Sequence, residues 1–395
     1  MRVQRLIAVV LGGLPLASCG ESTSPGSEPS TVDELVASVI IIPDASGISG
    51  VGTTQQFTVE ARDANGNLLP SPSVSWTSLN AHVATVDGIG LATAVASGQV
   101  PVVAKVDTLT AYALLTVSVP GMGPVTQWSA HPSEKQNYFL SAVWGASAGD
   151  VYATGFRRTL HYDGAAWSEI LQGGESYVVG GMGPNDVYAV GSAVFHYDGS
   201  GWREQPSGTT EGLSGVWGAS PDDVYAVGDH GTIVHYDGTD WREQSSGTTE
   251  HLTDVWGTGA SDVYAVGVHG TILHFDGTGW REQSSGTTLL LMAVWGTSPN
   301  DVYVVGDAGT ILHTDGSGWR VHANLSGWLW GVWGSSPSDI YAVGIFGAIH
   351  HYDGSDWSAL GELDANGEHL RGVWAMSSSD VYVVGGDGRI FQGTR

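Results

Sequence analysis

Histidine and acidic side chains recur at fixed spacing through the C-terminal two thirds of the chain. His161, His196, His235, His274, His313 and one of His350 or His351 occupy one position of a repeated phrase. Asp150, Asp186, Asp223, Asp262, Asp301, Asp339 and Asp380 occupy another. Imidazoles beside carboxylates can hold a metal or move protons, but only if the fold brings them to one point within metal–nitrogen distance, about 2 Å. A second set occurs once each: Arg157, Arg158, Asp229, His230, His251, His269, Asp307, Trp328, Trp330, Phe346 and Asp387. Aromatic faces interleaved with acids and histidines suit a sugar or a cation, and exposed Trp and Phe suit a protein partner. For catalysis the sequence offers less. Arg157 and Arg158 share one loop, no G-x-S-x-G stands between a strand and a helix, and any lyase or hydrolase chemistry would fall to His230, His251 or His269 with Asp229 or Asp307.

The elements that position these residues follow from a repeat. The phrase V-W-G-x-S-x-x-D-V-Y-A-V-G runs over residues 143–155, 216–228, 255–267, 294–306, 332–344 and 373–385, with a degenerate copy at 179–191 that has Gly180 in the Trp position. The marker Asp residues are 36 to 41 positions apart. Each unit holds four short strand-like pieces joined by Gly, Ser, Pro, Asp or Asn, which is the pattern of a propeller blade. The last unit stops at its third strand, and an orphan fourth strand, Gln127-Trp128-Ser129, precedes the first unit. The reading is a seven-bladed β-propeller over residues 127–395, its last blade completed by this N-terminal outer strand so that no sheet edge stays open.

On a ring, equivalent positions are separated by whole blades. The third-strand histidines therefore cannot share an ion, and each is expected to bond within its own blade; no metal or cofactor is required. The Asp of each Y-D-G-x-x-W turn is expected to bond turn amides, and the Arg-Glu pairs after Trp202, Trp241 and Trp280 to be solvated. The one-off residues belong to the face formed by the fourth-to-first and second-to-third strand loops, with Tyr138, Phe139, Glu175, Glu250, Asp364 and His369 beside them. Residues 324–331 read as a loop carrying two tryptophans. The turn Tyr236-Asp237-Gly238-Thr239-Asp240-Trp241 resembles those of Asp-box and kelch propellers. The general pattern is similar to that of bacterial surface lipoproteins with propeller repeats and, more remotely, of the propeller assembly factor for photosystem II.

The first 18 residues read as an export signal, with a basic start and an apolar run over residues 6–16 that is too short to span a bilayer. Leu16-Ala17-Ser18-Cys19 resembles the lipobox of bacterial lipoproteins, which implies lipidation of Cys19, the single cysteine of the chain. Gly20 after it favours the outer membrane by the same resemblance, in a periplasmic or surface-facing protein. Residues 19–35 are a Ser/Thr/Pro/Gly tether with almost nothing to bury. Residues 36–120 carry six or seven short strands, the pattern of a β-sandwich. Trp76-Thr77-Ser78, Val83 to Asp87, Gly90 to Thr93 and Gly98 resemble the bacterial immunoglobulin-like module of group 2, which implies a spacer or adhesive stalk.

Fourteen Lys and Arg stand against 40 Asp and Glu, a net charge of −26 that repels phosphate backbones and excludes nucleic acid as a partner. The whole is all-β. It is expected to be a monomeric, lipid-anchored envelope protein that binds a carbohydrate or protein ligand, with binding ahead of catalysis. A carbohydrate-active enzyme and a scaffold for envelope assembly are the alternatives.

Overall fold

The structure is a computed structural model, and it describes residues 36–395 except 51, 71, 80, 82, 96–97, 119–124, 132–138, 157, 173–175, 364–366, 378 and 395. Cys19, the leader and the tether lie outside the described residues, as do Tyr138, Arg157, Glu175 and Asp364. No helix among the described residues is long and apolar enough to cross a membrane.

The N-terminal unit is a sandwich. Ala45–Ser49, Leu109–Ser118, Gly98–Val106 and Ser75–Ser78 form one sheet in that order, with its first pair parallel and the others antiparallel. Thr54–Gln56, Leu91–Ala94 and Ala84–Val86 form a second sheet, and Ser38–Ile42 pairs with Thr58–Arg62. Alternating apolar residues close the core around Phe57, Val100, Val102, Leu115 and Val117, with Trp76 packed at its margin.

Seven four-stranded antiparallel sheets follow. Their first strands are Leu140–Ser147, Ser176–Gly183, Leu213–Ser220, Leu252–Gly259, Leu291–Ser298, Leu329–Ser336 and Leu370–Ser377, which number blades 1 to 7. Second strands such as Asp262–Gly267 are buried from their second residue onward, because a blade's middle strands have a neighbouring blade on each side; hence the unbroken apolar run V-Y-A-V. Fourth strands such as Trp241–Gln244 keep two residues in solvent. The ring closes as expected: Gln127–His131 pairs antiparallel with Ile390–Thr394 and supplies the outer strand of blade 7.

The V-W-G phrase fits this packing. A Cβ on Gly145, Gly181, Gly257, Gly296 or Gly334 would lie 2.6–2.8 Å from the Trp ring of the preceding blade. These five tryptophans therefore lie across the next blade's glycine and set the spacing of the ring, while Trp333 meets Ala375 of blade 7 and donates its indole N–H to that residue's carbonyl. In blade 2, where Gly180 replaces the Trp, Met182 fills the gap and its sulfur covers Gly218 of blade 3.

Candidate functional site

The repeated polar residues join their own blade together. In six blades the third-strand histidine donates Nε2–H to Oδ1 of the marker Asp at 2.5–2.8 Å: His161 to Asp150, His196 to Asp186, His235 to Asp223, His274 to Asp262, His313 to Asp301 and His351 to Asp339. The second-strand Tyr packs on the same ring with centroids 4.3–4.8 Å apart. Burial pushes the phenols of Tyr152, Tyr188, Tyr225, Tyr264, Tyr303 and Tyr382 above their ordinary range. The tyrosines and the His351–Asp339 pair are buried, the other five His-Asp pairs half-buried, and each pair is locked within its own sheet.

Turn Asp side chains accept backbone amides two and three residues on, as Asp237 does from Thr239 and Asp240 at 3.0 Å. The hydroxyls of Ser200, Thr278 and Ser317 first, then the turn amides, hold Asp198, Asp276 and Asp315 below the usual carboxylate range, and the turn amides lead for Asp237 and Asp353. The Arg-Glu pairs are exposed on the outer strands, as expected. Arg203, Arg242 and Arg281, and Arg320 in blade 5, also reach back to the turn Asp of their own blade, because the turn is short enough to bring the two together. The Gln of W-R-E-Q, whose role is not legible from the sequence alone, links blades. Gln205, Gln244 and Gln283 accept the indole N–H of Trp241, Trp280 and Trp319 in the next blade at 2.6–2.8 Å.

On the loop face, blades 3 to 7 follow the second strand with one and the same tight turn: Asp229–Gly231, Val268–Gly270, Asp307–Gly309, Ile345–Gly347 and Gly386–Gly388. Its middle residue is left-handed in every case: His230, His269, Ala308, Phe346 and Asp387, with φ between 53° and 56°. A side chain at this position points away from the blade, and the ring carries five such positions of different chemistry. His230 and His269 thus occupy matching places, yet each is held by an acid of its own blade, Glu211 and Glu250, at 2.7 Å. The Glu211 hydrogen bond and charge raise the His230 pKa above the ordinary value. His251 Nδ1 lies 2.9 Å from Asp229 Oδ1. Asp307 keeps Oδ1 buried with no hydrogen-bond partner, and burial raises its pKa. Among the described residues no group of three or more His, Cys, Asp or Glu could hold a metal ion.

Two predicted placements change. Arg158 is not a loop residue; it starts the third strand Arg158–Tyr162 and pairs with Glu169 across the sheet at 3.0 Å. Residues 324–331 are half strand: Asn324 ends Trp319–Asn324, and Trp330 lies inside Leu329–Ser336, leaving Leu325 to Trp328 as the connection. Trp328 is half exposed on that connection.

What the fold does bring together is an aromatic cluster across blades 6, 7 and 1. Trp330 meets His369 edge-on at 4.9 Å, Phe346 meets it at 5.5 Å, and the Phe346 amide donates to His369 Nδ1 at 3.1 Å. Arg371, absent from the sequence-based set, lies at the centre with its guanidinium 4.4 Å from the Trp330 ring and 5.4 Å from the Phe139 ring. The first strands enclose a central cavity of about 640 Å³, whose lining includes Arg371 and Trp330 at one end. At the other end Leu79, Pro101 and Leu114 of the sandwich line it, and Gln99 donates to the carbonyl of Thr297. In its wall, Asp254 accepts the amides of Val255 and Val294 at 2.9 Å, while burial lifts its carboxyl to about 7.

Residues 35–117 match the family model of the bacterial Ig-like domain, group 2. No curated protein matches the chain. Among solved structures, YCF48 bound to D1 peptide is 12% identical, covering 69% of this chain and 96% of its own, with a TM-score of 0.57. YCF48 from Cyanidioschyzon merolae is 14% identical over 68% of this chain and 98% of its own, TM-score 0.54. The WD40 β-propeller domain of Doa1 is 11% identical over 70% of this chain and 98% of its own, TM-score 0.58. At such identities the likeness concerns the fold. Residues 35–117 are thus a group 2 bacterial Ig-like domain, and the blades behind it form a seven-bladed β-propeller.

Proposed function

We propose that the chain is a lipid-anchored protein of the cell envelope whose propeller presents its loop face to a protein segment or a carbohydrate. An Ig-like domain joined to a propeller points to a binding or scaffold role. The observation that carries the finer reading is the apolar surface on one face: Phe139, Trp328 and Phe346 are 53%, 50% and 59% exposed, beside Trp330 and His369. Large rings left in water at positions that build no blade need a partner to explain them. The sandwich meets the cavity at its opposite end, so it does not obstruct this face. One propeller of similar fold, YCF48, is known with a bound D1 peptide, which supports a peptide segment as one class of ligand. The apolar run ending at Cys19 supports the anchor.

Two experiments test the reading. Glycan and peptide arrays probed with the full chain, alongside turnover assays on the glycans retained, should give binding without turnover; turnover would favour the carbohydrate-active enzyme. Cys19→Ser should move the protein from membrane to soluble fractions, and retention on membranes through detergent-free washing would refute lipidation.

A further inference from the structure

Arg371 is the second residue of the blade 7 first strand Leu370–Ser377, at the mouth of the central cavity. Its charge is half-buried, and burial makes the guanidinium a weaker base. Arg62, Arg158, Arg203, Arg242, Arg281 and Arg320 each pair with a carboxylate. Arg371 pairs with none among the described residues, and its Nε is buried without a hydrogen-bond partner. Two rings lie against it instead, Trp330 of blade 6 and Phe139 ahead of blade 1. Cation–π contacts offset part of the cost of withdrawing the charge from water, but they use none of the N–H donors. An in-plane acceptor is the missing partner, and a carboxylate fits the planar fork with two parallel hydrogen bonds.

Surroundings narrow the carrier of that carboxylate. A net charge of −26 disfavours anions over the surface at large, so a local unpaired cation is where one would be retained. The groups in contact with the guanidinium are aromatic, and Phe346 and His369 extend the same apolar wall. Such a wall matches an aromatic or aliphatic group better than the hydroxyls of a sugar. We propose, on the premise that the loop face binds a ligand, that Arg371 anchors a carboxylate borne on an apolar group, such as the free carboxy terminus of a protein chain, with Trp330 and Phe139 holding the guanidinium in plane.

The test uses the full chain labelled with fluorotryptophan, the Trp330 fluorine signal being identified by its loss in Trp330→Phe. The probes are N-acetyl-L-phenylalanine, its primary amide, and glucuronic acid. The acid should shift the Trp330 signal saturably, and the amide should bind about tenfold more weakly or less, the expected worth of a charge-assisted pair. Arg371→Met should lower affinity for the acid by the same factor, with Arg371→Lys intermediate. The amide comparison needs only the wild-type chain, so it holds even if the variants fold poorly. Equal binding of acid and amide, or no saturable shift with either, overturns the carboxylate site. Tighter binding of glucuronic acid overturns the apolar carrier in favour of an acidic sugar. A loop face that retains an array ligand while N-acetyl-L-phenylalanine leaves Trp330 unmoved defeats the Arg371 inference alone and leaves the platform standing.

Discussion

Asp254 offers a stability measurement whose sign and size come from the channel wall. In the register shared by all first strands its position is held by Ala142, Val178, Gly215, Ala293, Gly331 and Gly372 in the other blades. One carboxyl thus stands in a ring of small apolar residues. Two amide hydrogen bonds favour its ionised form, but burial outweighs them and raises the pKa from the ordinary 3.8 to about 7. The folded chain then holds this proton more tightly than the unfolded chain. Raising the pH from about 4 to about 7 ionises the unfolded state first, so this group's contribution to stability falls over that window and levels off above it. A shift of about three units corresponds to about 4 kcal/mol, and exposure to the cavity reduces the expected effect to about 2–4 kcal/mol. Asp254→Asn removes the titration. The amide keeps a single acceptor for the two backbone donors, a cost that does not depend on pH and cancels on comparison across pH. Urea unfolding of both proteins, followed by tryptophan fluorescence at about pH 5 and pH 8, should show the variant gaining on the wild type by about 1–2.5 kcal/mol at the higher pH, since about two of the three units fall between these pH values. A difference that stays constant within about 0.5 kcal/mol would refute the assignment of a strained carboxyl to the wall.

Ring closure predicts that Trp128→Ala, which strips the half-buried ring packed against Gly393, costs about 2–3 kcal/mol and lowers the melting temperature. Deleting residues 127–131 should expose Ile390–Thr394 as a free edge and raise light scattering on storage; a deletion variant as stable and monodisperse as the wild type contradicts closure. Gly296→Ala would place a Cβ 2.5 Å from the Asp301 carbonyl and 2.8 Å from the Trp256 ring, costing about 1–3 kcal/mol, whereas Gly279→Ala, with nothing within 4 Å, should be neutral; equal melting points would break the account of V-W-G. His230 should titrate by NMR above the ordinary histidine value, and Glu211→Gln should bring it down; no change on substitution would remove Glu211 as the cause.

Ring, blade count and closing strand were legible because a residue that serves every blade recurs at the blade's period, and a missing fourth strand at one end of the chain implies a spare one at the other. The sandwich was legible from strand alternation around Trp76. Partners that cross between blades were harder to see. The Gln of W-R-E-Q reads as an outer polar residue until the next blade's Trp is placed beside it. Arg371 sits in a repeated strand, which hid it among structural positions; its significance comes from rings supplied by blades 6 and 1. Asp254 had a signal in the alignment of the seven units, an acid where the others are apolar or Gly, but its burial needed the closed ring. Arg158 reads as a loop residue from sequence because a strand boundary shifted by one residue decides whether an arginine faces solvent or a cross-strand Glu. His230 and His269 stood out as unrepeated, yet the acids that hold them lie 19 residues away within their own blades, so the two do not form one site.

The central claim divides the molecule by duty: repeated residues build the ring, and unrepeated residues of the loop face bind. Its most direct test measures melting and binding together, with the ligand retained on the arrays, in two sets of variants. Trp328→Ala and Trp330→Ala are predicted to weaken binding about tenfold or more with little change in melting. His235→Ala and Trp241→Ala are predicted to lower the melting temperature, by losing the Asp223 and Gln205 hydrogen bonds, while the folded fraction binds as the wild type does. Stability lost at these unrepeated positions together with binding lost only at the repeated ones would contradict it and move the site off the loop face.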